Sequence, residues 1–157
     1  MRTNVYIDGF NLYFGCLKDT PYRWLDLRAM CEQLLPQHDV HRIRYFTAKV
    51  DARPHNLSQP VRQETYLRAI QTLPGVSVHL GHYLSHNVKM PLAKPQAGAS
   101  NNVLVVKTEE KGSDVNLACY LLLDGFDKDY EQAVVISNDS DLKTPIELVR
   151  QRLGYPV

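Results

Sequence analysis

Five short runs rich in β-branched and aromatic residues, at 4–10, 41–50, 76–84, 102–112 and 131–137, constrain this chain most. They are too short to be long helices, and turn residues bound most of them, so they read as strands. Between most of them lie segments in which apolar residues recur at helical spacing. "YRWLDLRAMCEQLLP" (22–36) carries Trp24, Leu27, Met30, Cys31, Leu34 and Leu35 on one stripe and stops at Pro36. "SQPVRQETYLRAIQTL" (58–73) opens with Ser58 and Pro60 and closes at Pro74-Gly75, and "SDVNLACYLLLDGF" (113–126) has Ser113 or Asp114 as candidate N-cap. "SDLKTPIELVRQRLG" (140–154) has Pro145 near its start and Gly154 at its end. "SHNVKMPLAKPQAGAS" (85–100), with its prolines, glycine and small residues, reads as a long loop.

Strands alternating with helices build a mostly parallel sheet covered on both faces, a three-layer α/β sandwich with Rossmann-like topology. The 157 residues form one domain, 1–157, long enough for a real core. "GYPV" (154–157) has the look of a further strand cut short, which would leave a sheet edge open and invite a homodimer. The longest apolar runs are far too short to span a bilayer, and an aspartate interrupts the N-terminal one. No membrane role and a cytoplasmic location are therefore expected. Cys16, Cys31 and Cys119 form no CxxC pair and sit in apolar-periodic segments, so buried free thiols are expected.

Eighteen Lys/Arg against seventeen Asp/Glu give a net charge of +1, which by itself points to no partner. Their distribution is uneven: six basic residues against two acidic ones lie between Arg42 and Arg68, while acids dominate from Glu109 to Asp141. In an open parallel sheet, ligands bind beyond the carboxyl ends of the strands. Asp8 ends the first strand, Asp139 and Asp141 follow "AVVI", and Asp114 begins a helix. If the first strand and the "AVVI" strand are neighbours, these four acids converge.

Two carboxylates about 4 Å apart repel by about 1 kcal/mol in water and about 4 at an effective dielectric of 20, so such a cluster calls for positive charge. All-oxygen donors without His or Cys favour Mg²⁺ or Mn²⁺ over zinc, and such an ion would bind phosphate oxygen and activate water. The plainer reading of Asp114 or Asp139 taken singly is a helix cap. Asp8, closing a buried strand before "GFN", has no such obvious use. Lys49, Arg53 and His55, after the second strand, are either phosphate contacts or an exposed polar loop. Lys111 either offsets the acids or is a solvated turn residue. Tyr13 and Phe14 read as core, with base stacking as the alternative. The six histidines show no zinc spacing.

"YIDGFNLY" with Asp8 and Asn11, "EEKGSDVNLACYLLLDGF" with Lys111 and Asp114, and "VVISNDSDLKTPIELV" with Ser137, Asp139 and Asp141 resemble, in order, the three signature motifs of the NYN-domain (LabA-like) family of the PIN-like nuclease superfamily. The resemblance covers residues 4 to about 153. It implies a PIN-like sandwich and a Mg²⁺- or Mn²⁺-dependent ribonuclease. Asp8, Asp114 and Asp139 would be metal ligands, with Asp141 as ligand or close neighbour. Asn11 would position a metal water or a phosphate, and Ser137 would be an auxiliary polar contact. Asn138 stands where many relatives have glycine. The rival readings are a small-molecule phosphohydrolase, which would want D-x-D on the first strand where Phe10 stands, and a non-catalytic RNA-binding or partner-recruiting module, which would be marked by a lost carboxylate.

Overall fold

The computed structural model describes residues 1–52, 56–95, 98 and 100–157. Strand β1 (Arg2–Asp8) is buried along almost its whole length, as a central strand must be. It pairs in parallel with β2 (Asp39–Thr47) on one side and β6 (Gln132–Ile136) on the other, and β3 (Val76–Leu80) lies parallel beyond β2. The order β3-β2-β1-β6 puts the switch in winding direction beside β1. The cleft for ligands therefore falls at the carboxyl ends of β1 and β6, which carry Asp8 and, just beyond, Ser137.

Side chains alternate across β1, and two cores follow from that. Val5 and Ile7 face Leu12, Leu17, α2 (Leu27–Leu34) and α3 (Gln59–Ile70) through Cys31, Leu67 and Ile70. Tyr6 faces the other way, toward Leu117 and Leu121 of α4 (Ser113–Phe126) and toward Leu142 and Val149. The sandwich is thus three-layered and mostly parallel, as expected. On the second face, Arg44 and Asp124, 12% and 6% exposed, form a doubly hydrogen-bonded ion pair at 2.7 Å, and Tyr6 donates to the same carboxylate at 2.7 Å. Burial and the nearby Arg44 charge push the His79 imidazole down to about 4, against an opposing pull from Asp124.

Several sequence readings change. The run 76–84 breaks at Gly81, a position with no room for a side chain: an added Cβ would meet Glu110 Oε1 and the Lys111 carbonyl at 2.5 Å. The chain turns out of the sheet into β4 (His82–Pro91), which pairs antiparallel with β5 (Asn102–Lys111) as a two-stranded ribbon. Residues 85–91 are therefore strand rather than loop, and 102–111 stands apart from the central sheet. Their exposed, mixed polar faces gave no clean period-2 signal.

The run 4–10 ends as strand at Asp8, where α1 (Gly9–Leu12) begins and continues as a wider π turn through Leu17. The helix expected over 22–36 covers only Leu27–Leu34, because Asp26 caps it by accepting from the Ala29 amide. The final helix comprises a 3₁₀ turn (Ser140–Leu142), α5 (Lys143–Leu148) and a π turn (Val149–Leu153). Residues 154–157 form no strand, although the Pro156 carbonyl accepts from the Ala133 amide on β6. Cys31 is buried, but Cys16 and Cys119 are exposed, each lying on the outer side of its helical turn. Among the described residues no helix is long and apolar enough to cross a membrane.

Candidate active site at the carboxyl edge of the sheet

Asp8 lies 3% exposed at the end of β1. It caps α1 by accepting from the Asn11 amide at 3.0 Å, so this aspartate does have a structural use. Its second oxygen accepts from the Asn11 side-chain amide and, at 2.9 Å, from the Ser137 hydroxyl. Ser137 in turn accepts from the Asp139 amide at 3.0 Å, and Asn11 Oδ1 accepts from the Asn138 amide at 3.2 Å. These bonds tie the end of β6 to the end of β1 and hold Asp8, Asn11, Ser137 and Asp139 in one arrangement. Asn138 contributes through its backbone, which any residue type offers. Asp139 also caps the following turn, accepting from the Asp141 amide at 2.8 Å.

Asp114 comes from a different direction, in the first turn of α4. It is not the helix cap. Gly112, at φ 95°, occupies that position, and the Glu110 side chain accepts from the Ser113 amide at 3.1 Å and its hydroxyl at 2.8 Å. Burial pushes the Asp114 carboxyl up to about 6, and the charges of Asp8, Asp139, Glu110 and Asp141 push the same way. Asp114 thus feels the charges of the three other motif acids, and that of Glu110 as well. Sequence reasoning missed Glu110; its place next to "KGSD" at the end of an apolar run was the available signal.

The predicted cations are elsewhere. Lys49 is exposed and paired with Glu64 at 3.0 Å, and Lys111 pairs with Glu109 at 3.6 Å. Arg53 and His55 lie outside the described residues. Among the described residues none of the four aspartates is in an ion pair, so side-chain hydrogen bonds to Asp8, and no paired cation, offset their charge.

Nor do three of the His, Cys, Asp and Glu groups described converge closely enough to form a ready-made metal cage. The donor chemistry nevertheless fits Mg²⁺ or Mn²⁺ and not a cage-bound ion, because Mg²⁺ binds through one or two carboxylates and keeps several waters. A cluster of acids turned partly toward hydrogen-bond donors, without a balancing cation, suits that mode.

Beside Asp8, Gly9 leads into a cleft of about 590 Å³ between α1 and α3. Its Cα packs so close to the Tyr45 ring and the Phe46 carbonyl that an added Cβ would lie 2.5 and 2.8 Å from them. Phe10, Phe14, Trp24 and Tyr66 are among the residues lining the cleft.

The NYN domain family model matches residues 2–157. The 6-hydroxy-3-succinoylpyridine 3-monooxygenase HspA of Pseudomonas putida is 32% identical over 174 residues, covering 96% of this chain and 56% of that protein. The chain thus spans little more than half the length of that relative. A crystal structure of a Vibrio parahaemolyticus protein of unknown function covers 98% of this chain and 76% of its own, with a TM-score of 0.54 at 16% identity, a likeness of fold. With the motif order, the sheet topology and a match over essentially its whole length in agreement, the chain belongs to the NYN domain family, a PIN-like nuclease family.

Proposed function

We propose that this chain is a metal-dependent ribonuclease that hydrolyses phosphodiester bonds at the carboxyl edge of its sheet. The observation that supports the reading is the hydrogen-bonded link from Asp8 through Ser137 to the Asp139 backbone, across the ends of two neighbouring strands, with the charges of Asp8, Asp139 and Asp141 raising the Asp114 carboxyl. Bound Mg²⁺ or Mn²⁺ would supply Lewis acidity toward a phosphate oxygen and an activated water. Asp8, Asp114 and Asp139 would be the acids that face the hydrated ion, one or two of them directly and the rest through its waters, with Asp141 close by as ligand or neighbour. Asn11 and Ser137 keep the Asp8 carboxylate fixed, and Asn11 orients the Asn138 amide beside it. Lys49, Arg53 and Lys111 would contact backbone phosphates, exchanging surface ion pairs of small worth where they have them.

The test is cleavage of a labelled RNA panel in Mg²⁺, Mn²⁺ or EDTA by wild type and Asp8→Asn, a near-isosteric change. Cleavage that needs the ion and disappears in the variant is expected. Cutting that persists in EDTA, or in Asp8→Asn at the wild-type rate, refutes the assignment.

A second reading rests on the aromatic cleft beside Asp8. The Pseudomonas putida relative is named for action on a succinoylpyridine, and a ring-lined cleft with basic residues at its border suits a small heterocyclic acid. Tight binding of a pyridine carboxylate, without any binding of RNA, would favour it.

A further inference from the structure

The cleft between α1 and α3 is built from rings that the acidic edge does not use. Phe10 and Phe14 stack with centroids 6.3 Å apart, and Tyr83 of β4 meets Phe10 edge-on at 6.0 Å. Opposite them, Trp24 packs edge-on against Tyr66 at 6.2 Å, and Tyr66 against Tyr45 at 6.3 Å. Gln63 braces this side by accepting from the Val50 amide and donating to the Ala48 carbonyl, each at 2.9 Å. The two ring clusters border one volume of about 590 Å³.

The outer rings face solvent at the border of this cleft: Phe14 is 57% and Trp24 56% exposed. The lining residues include three cations, Lys18, Arg23 and Arg62, and no acid among the described ones. Lys18 already sits 5.5 Å over the Phe14 ring. Gly9, which follows Asp8 directly, forms part of the same wall.

Charge separates this cleft from the acidic edge next to it: one repels anions until a cation binds, and the other attracts them. Exposed rings bordered by basic side chains are how proteins grip single strands, stacking bases while cations follow the backbone. A site for a small heterocycle would enclose most of its ligand instead. We propose that this cleft takes an unpaired nucleobase of the RNA strand against Phe14 and Trp24. Lys18, Arg23 and Arg62 then lie along the adjoining phosphates, and the strand leads past Gly9 to Asp8. This rests on the ribonuclease reading and adds to it a subsite for an unpaired base.

Trp24 is the sole tryptophan of the chain, so its fluorescence reports occupancy directly. The experiment titrates wild type in EDTA with a short single-stranded RNA, the same strand with abasic positions, its duplex, and pyridine-3-carboxylate. The single strand is expected to quench Trp24. The abasic strand and Phe14→Ala should each weaken binding by about 5- to 150-fold, the range for losing one base–ring stack. Arg62→Ala, at an exposed position, should lower the slope of log affinity against log salt by about 0.7.

Equal binding of the abasic strand, wild-type affinity in Phe14→Ala, or quenching by pyridine-3-carboxylate but not by RNA would each overturn the proposal. A parallel cleavage assay in Mn²⁺ separates the two readings. No cutting with base-dependent quenching rejects the ribonuclease while the base site stands, and cutting with base-independent binding does the reverse.

Discussion

Replacing Asp114 by Asn should stabilise the metal-free protein, which is unusual for a polar substitution near a helix start. In the fold its carboxyl is pushed from an ordinary 3.8 to about 6. The folded state therefore holds the proton more tightly than the unfolded chain. Stability from this group is highest at low pH, falls as pH rises from about 4 to 6, and stays reduced above 6. At ~1.4 kcal/mol per pH unit, the ionised carboxylate costs the fold ~3 kcal/mol. Partial exposure, and the favourable place of an acid in the first turn of α4, reduce this to about 1–2 kcal/mol.

Asparagine removes the charge at nearly constant shape. In EDTA at pH 8, Asp114→Asn should therefore melt about 2–8 °C higher than wild type, using the usual ~2–4 °C per kcal/mol for a domain of this size. At pH 4 most of the difference should be gone. Adding Mn²⁺ should reverse the order, because a bound ion stabilises the chain that keeps its carboxylates. Thermal unfolding by circular dichroism at the two pH values, with and without the ion, reads all of this. A variant that is destabilised equally at both pH values would refute the reasoning, since the group would then be making favourable contacts and not enduring repulsion.

Two further perturbations probe the frame around the site. Asp124→Ala leaves the Arg44 guanidinium buried without its carboxylate and the Tyr6 hydroxyl without its acceptor, so a loss of about 3–5 kcal/mol is expected in urea unfolding. Gly81→Ala should cost about 1–3 kcal/mol by the same measurement. Its Cβ would collide with the Lys111 carbonyl at 2.5 Å and the Ser113 amide nitrogen at 2.9 Å, backbone atoms that carry the start of α4.

The central sheet was legible because β1 is an apolar run buried along almost its whole length, and β2, β3 and β6 are short runs rich in β-branched and aromatic residues, signals that need no partner to be read. The acidic edge was legible for a related reason. A switch point beside β1 brings together whatever stands at the ends of β1 and β6, and the sequence puts carboxylates at those ends. Part of what escaped was set by long-range pairing. Residues 85–91 become strand only because 102–111 lies opposite, ten residues in register, and neither has the pattern of a buried strand. Glu110 escaped for a local reason: its carboxylate accepts from the Ser113 amide and hydroxyl three residues on, a contact made by the sharp passage from β5 through Gly112 into α4.

The cleft could not be read at all from the order of residues, because its walls come from the α1 turn, the segment before α2, α3 and β4. Tyr13 and Phe14 show the difficulty. Tyr13 packs against the first core as its neighbourhood suggests, yet Phe14, the next residue, is 57% exposed. The wider π turn over Tyr13–Leu17 leaves Phe14 on the outer face, where Phe10, Tyr13 and Lys18 accompany it. Asp8 shows the reverse case, in which structure and chemistry share one residue. Its carboxylate caps α1 and accepts from Ser137, and it also belongs to the acidic patch that raises Asp114. Capping and ligation are not rivals there. The cap fixes the carboxylate at the edge of the sheet, next to Gly9, which forms part of the wall of the aromatic cleft. A single strand end thus ties together the fold, the charge and the ring-lined surface.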